Sequence, residues 1–166
     1  NNKHLFSRVF LNKKKWFTLN VIGSKNDPIE SIAEQIDLTI KEQWISKGIP
    51  APLKTKTKKT VAGVIKSLNN LIKELNKKGH GLILIVDEMG KFLDYASSVG
   101  SDLNLFQEIA ENFSNARLNK EGEPIFIGIL HQPFEEYASS LGRSVQEDWQ
   151  KIQGRFEDIP FSINTE

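Results

Sequence analysis

The chain has 166 residues, no cysteine and a net charge of +1. Its length fits one domain that can bury a substantial core without metal or disulfide help, and the missing cysteine excludes a disulfide framework and a thiol nucleophile. No apolar run approaches ~18 residues and the opening Asn1 to Ser7 stretch lacks the apolar centre of a signal peptide, so a cytoplasmic protein with no membrane partner is expected. The balanced charge hides a polarity: residues 1–80 carry 16 Lys+Arg against 6 Asp+Glu, and residues 81–166 carry 6 against 15. A basic first half could face nucleic acid or an acidic partner; solvated lysines that keep helices soluble are the plainer reading.

After Arg8-Val-Phe-Leu11 and three lysines, Trp16-Phe-Thr-Leu-Asn-Val-Ile22 is aromatic and β-branched and is bounded by Gly23-Ser24, which predicts a strand. Asp27 then offers an N-cap, Pro28 a first helical residue and Glu30 an approximate capping box. Ile29, Ile32, Ala33, Ile36, Ile40 and Trp44 form one apolar stripe, predicting a helix to about Lys47 that Gly48-Ile-Pro-Ala-Pro52 ends. The basic run Lys54, Lys56, Lys58 and Lys59 is the sharpest candidate for a phosphate-backbone contact with DNA, or else a mobile surface loop. Val61, Val64, Ile65, Leu68, Leu71, Ile72 and Leu75 make a second stripe with stop signals at Lys77-Lys78-Gly79.

Gly81-Leu-Ile-Leu-Ile-Val-Asp-Glu88 follows. Its aliphatic run is too short for a free-standing helix and does not alternate, so it reads as a strand covered on both faces, as in a parallel sheet. Two carboxylates arrive where that strand ends, which is where open α/β sheets place their ligands. The stretch resembles the Walker B motif of P-loop NTPases. The resemblance implies that Asp87 helps to hold Mg²⁺ at the phosphates of ATP and that Glu88 orients and activates the attacking water. A buried strand that merely ends in a solvated acidic turn is the alternative.

Gly90 to Ala96 predicts a short helix yielding to the polar loop Ser97 to Ser101. Leu105, Phe106, Ile109, Ala110, Phe113 and Ala116 predict a helix to about Leu118, and Pro124-Ile-Phe-Ile-Gly-Ile-Leu130 a second buried strand ending in His131-Gln132. Phe134 to Leu141 and Val145 to Phe156 read as helices, followed by Ile159-Pro-Phe-Ser-Ile163. This alternation predicts one α/β domain over residues 1–166, a three-layer, mostly parallel sheet with helices on both faces.

The order of elements resembles the middle of the additional-strand P-loop ATPases, the group that includes AAA+ proteins. By that resemblance Trp16–Ile22 is the second core strand, 82–88 the Walker B strand and 124–132 the sensor strand, whose polar residue touching the γ-phosphate or the water would be His131 or Gln132. Most of that family has Asn, Ser or Thr there. Arg155, with Arg143 behind it, matches the arginine finger of the tail 143–161, which would reach a neighbouring copy of the chain; a salt bridge to Glu157 or Asp158 is the plainer role. Glu88 to Leu93, His131 to Tyr137 and Asp148 to Phe161 are similar to segments of large bacterial phage-defence ATPases of the bacteriophage-exclusion type. No Gly-x-x-x-x-Gly-Lys-Ser/Thr loop occurs, so the phosphate loop, its strand and its helix are expected before Asn1, in agreement with a start lacking Met. The chain would then be a portion of a longer ATPase and would not hydrolyse ATP alone.

Two other readings remain at this point. The chain could be a non-enzymatic module docking nucleic acid or a protein, or a nuclease with Asp87 and Glu88 as metal ligands, for which the other carboxylates lack matching spacing. A zinc site through His4, His80 and His131 is less credible, because the three are far apart and no cysteine helps them.

Overall fold

The computed structural model describes residues 15–45, 56–99, 104–132, 136–137 and 143–159. The elements, in order, are β1 (Trp16–Ile22), α1 (Pro28–Gln43), α2 (Val61–Lys77), β2 (Gly81–Asp87), α3 (Met89–Val99), α4 (Asn104–Leu118), β3 (Ile125–Gly128) and α5 (Arg143–Gln153). The strands form a parallel sheet in the order β1-β2-β3, with Phe17 opposite Leu82, Leu19 opposite Leu84 and Leu84 opposite Phe126. The class is α/β, and the acidic-ended strand is its centre.

Local chemistry explains most of the boundaries. Asp27 caps α1 by accepting from the backbone N–H groups of Ile29 at 2.7 Å and Glu30 at 3.3 Å. The Glu30 carboxylate lies 3.7 Å from Lys59 Nζ and so faces the loop that precedes the next helix. Among the described residues α1 ends at Gln43, earlier than the apolar stripe suggested; Trp44 continues the stripe beyond the helix because its ring stacks on Phe17, centroids 4.6 Å apart. The α2 helix runs to Lys77 as its stop signals indicate, and Gly79 turns the chain at a φ of 72°, a left-handed value that glycine adopts without a Cβ penalty.

Two boundaries correct the sequence reading. The α3 helix starts at Met89 and continues to Val99, so Ser97 and Ser98 lie inside it; the Ser98 hydroxyl bonds to the Tyr95 carbonyl at 2.8 Å, which satisfies it within the helix. The β3 strand spans only Ile125–Gly128, although the Ile129 N–H still bonds to the Val86 carbonyl at 2.9 Å. The predicted helix over 134–141 lies largely outside the described residues, as do Arg8 to Leu11 and 160–163.

The layers follow from which strand residues carry the core. Phe17, Leu19, Val21, Leu82, Leu84, Val86, Phe126 and Leu130 belong to or pack on the hydrophobic core, and all share one parity along their strands. Alternate residues point to opposite faces, so one face of the sheet carries the core. Against it lie Ile32, Ile36, Leu68, Leu71, Phe92, Phe106 and Ile109, each no more than 1% exposed. The opposite parity is mixed: Asn20, Ile22, Ile127 and Ile129 are exposed, Trp16, Thr18, Ile85 and Ile125 are half-buried, and Ile83 is buried outside the core cluster. The helices that build the core cluster thus lie on one face of the sheet. The cause is topological. Parallel neighbours joined in sequential order by right-handed crossovers place every connecting helix on the same side.

Candidate functional site at the end of the central strand

The acidic pair sits in a sharp strand-to-helix turn. Asp87 is the last residue of β2, Glu88 has a φ of 51°, and α3 begins at Met89. Glu88 therefore leaves the ladder: its N–H bonds to the Asp87 carboxylate at 2.8 Å, while the Met89 N–H bonds to the Ile129 carbonyl at 3.0 Å. On the other side the Gly23 N–H bonds to the Asp87 carbonyl at 2.7 Å. Gly23 also explains the close approach of β1's end, since a Cβ there would lie 2.0 Å from the Glu88 carbonyl oxygen. Both neighbouring strand ends thus hold the turn by main-chain contacts.

The side chains on this turn are gathered as well. Lys91 Nζ lies 2.5 Å from Glu88 Oε2, and His131 Nε2 lies 3.6 Å from Glu88 Oε1. The hydrogen bond from Lys91, opposed by partial desolvation and aided by the ammonium charge and by His131, lowers the Glu88 carboxyl below its usual range. Glu88 is then ionised at neutral pH, and Asp87 beside it is exposed. Mg²⁺ suits such a position because it keeps several waters and takes only one or two protein carboxylates plus substrate phosphates. Among the described residues no three His, Asp or Glu side chains are grouped to hold a metal by themselves.

The sequence candidates divide clearly. Asp87, Glu88 and His131 come together; Gln132 is exposed just beyond His131. Arg155 pairs with Glu111 of α4 at 2.5 Å, not with the predicted Glu157 or Asp158, and the following Phe156 packs edge-on to Phe126 at 4.9 Å on the core side of the sheet. Arg143 opens α5. Within the basic run Lys54 lies outside the described residues, Lys56 and Lys58 are exposed, and Lys59 is paired with Glu34 at 2.7 Å. That loop is anchored at one end, because buried Thr57 donates its N–H and its hydroxyl to Asp37 at 3.0 and 2.8 Å.

Comparison with known protein families, curated proteins and solved structures gives no match to this chain. The chemistry of the turn itself therefore carries the functional reading.

Sequence reasoning missed Lys91. The signal was present: with a helix starting at Met89, residue 91 lies one turn beyond Glu88 and can reach back to it. A second feature joins two segments that are distant in sequence. A Cβ on Gly90 would lie 2.3 Å from the Tyr137 ring, so the residue after Met89 must be small for that ring to pack at the base of the turn. Two surface depressions, one lined by Asn70, Lys73 and Glu74 and one by Val61, Ile65 and Glu108, contain no residue of the acidic turn.

Proposed function

We propose that this chain is the Walker B to arginine-finger portion of an ATP-hydrolysing P-loop ATPase, from a bacterial phage-defence or other DNA-associated system. The observation that carries the reading is the pairing of strand ends: an Asp-Glu turn closes the central parallel strand, and His131, at the end of the next, lies 3.6 Å from its glutamate. In this reading Asp87 holds Mg²⁺ at the nucleotide phosphates, where the ion would neutralise charge developing on the transferred group. Glu88 orients the attacking water and His131 reads the γ-phosphate side of the site.

The open parts of the sheet favour the same reading. The β3 edge is unpaired among the described residues, and the face opposite the core is partly exposed at Ile127 and Ile129, each about 40%. A parallel strand lying beside β3 and crossing back to β1 runs opposite to the existing order, so its right-handed crossover lies on the face opposite the core. A phosphate-loop strand and its helix, entering before β1, would fill both places at once. Arg155 would then act on a neighbouring copy, for which it must exchange Glu111 for a γ-phosphate.

The test uses the longer ATPase that contains this chain. Glu88→Gln should keep ATP binding and lower turnover by ~10²–10⁴-fold, because the amide preserves size but cannot polarise the water. Asp87→Asn should also weaken Mg²⁺-dependent binding. Wild-type turnover in Glu88→Gln would end the proposal. In the 166-residue chain alone, calorimetry should find ATP·Mg²⁺ bound no better than about millimolar, since the phosphate loop supplies most ground-state contacts.

A further inference from the structure

The two oxygens of Glu88 are held unequally. Oε2 has an ammonium at 2.5 Å, and Oε1 faces an imidazole nitrogen at 3.6 Å, beyond hydrogen-bond length. An exposed ion pair ordinarily contributes little, because two long side chains must be ordered to form it. Here much of that ordering is already done by the backbone. The φ of 51°, the Gly23 bond to Asp87, the Met89 bond to Ile129 and the Lys91 N–H bond to the Glu88 carbonyl at 2.9 Å fix the turn from which both side chains leave.

We propose that Lys91 is a positioning residue for Glu88: it anchors Oε2, so that Oε1 is presented to the space beside His131, where the attacking water is received. This rests on the role given to Glu88 above. In hydrolysis the water oxygen bonds to the terminal phosphorus as the bond from that phosphorus to its bridging oxygen breaks, and Oε1 takes the water's proton. A carboxylate free to rotate would offer either oxygen, and neither at a fixed distance; groups that orient a catalytic residue in this way are worth about 10–100-fold in activity.

Two measurements test the assignment. In the nucleotide-free 166-residue chain, three-bond NMR couplings across χ1 and χ2 of Glu88 should report one rotamer in the wild type and in Lys91→Arg, and averaging in Lys91→Met. Averaging in the wild type, or a single rotamer in Lys91→Met, would overturn the anchor. In the longer ATPase, Lys91→Met should lower kcat by about 10–100-fold with KM unchanged, and Lys91→Arg should recover most of the loss. An unchanged or raised kcat in Lys91→Met, with Glu88→Gln inactive, would overturn Lys91 as a positioning residue and leave Glu88 in place. A rise in KM alone would make Lys91 a nucleotide contact and also overturn it. Wild-type turnover in Glu88→Gln would remove the role of Glu88, and this inference with it. Lys91 is half-exposed, so equal melting temperatures across the variants are expected.

Discussion

Glu88 holds a left-handed backbone conformation, φ 51°, which costs a residue with a Cβ about 1–2 kcal/mol. Such strain persists where surrounding contacts over-determine it, and here the main chains of Gly23, Ile129 and Lys91 all close on the turn. The consequence can be isolated with two substitutions that both delete the carboxylate. Glu88→Gly should be more stable to urea than Glu88→Ala by about 1 kcal/mol, since only glycine escapes the Cβ penalty, although glycine is ordinarily the poorer residue beside a helix. Equal midpoints would show that the turn relaxes when the side chain is cut. The place of Asp87 and Glu88 at the end of the central strand was legible from the five aliphatic residues before them. The left-handed turn and Lys91 were not, because both depend on α3 starting at Met89, one residue before the sequence pattern places its start.

At the scale of elements, apolar stripes were the most readable feature. The α2 and α4 helices occupy Val61–Lys77 and Asn104–Leu118, where their stripes placed them, because each buries one face on the sheet. Polar segments misled. Ser97 and Ser98 looked like loop and are helical, and the run around Lys56 looked uniformly solvated. In the structure Thr57 is buried and clasped by Asp37, while Lys59 is neutralised by Glu34, whose hydrogen bond is the main cause raising its pKa. Asp37→Ala should therefore cost about 1–3 kcal/mol, the penalty for leaving buried Thr57 donors unmatched, and speed amide exchange at Thr57. Lys59 also separates from its neighbours in any binding of DNA. Replacing Lys56 and Lys58 by Gln should lower the salt slope by about one unit for each phosphate that is no longer neutralised. Replacing Lys59 should change it less, because its charge is already committed to α1. An equal effect from all three would mean that Lys59 leaves Glu34 when DNA binds.

For the whole molecule, topology decides what the pattern of residues could not. The five aliphatic residues of β2 are buried apart from half-buried Ile85, as their unbroken run suggested, while the core cluster takes one parity of each strand. That outcome follows from the order β1-β2-β3 and the handedness of its crossovers, neither of which is written in any single segment. It also yields a sharp test of the strand proposed to lie beside β3. In a parallel strand the N–H groups of successive residues point to opposite neighbours; Ile129 bonds to Val86 in β2, so Ile127 faces the same way, and the amides of Phe126 and Gly128 face the open edge. In the 166-residue chain the Phe126 and Gly128 amides should exchange with solvent much faster than those of Ile127 and Ile129. In the proposed longer ATPase, with a strand laid beside β3, the Phe126 and Gly128 amides should become protected by several orders of magnitude, and those of Ile127 and Ile129 should change little. Fast exchange at Phe126 and Gly128 in both proteins would leave β3 as a true edge. The proposed phosphate loop would then have no place beside β3, and Asp87 and Glu88 would have to be explained without it.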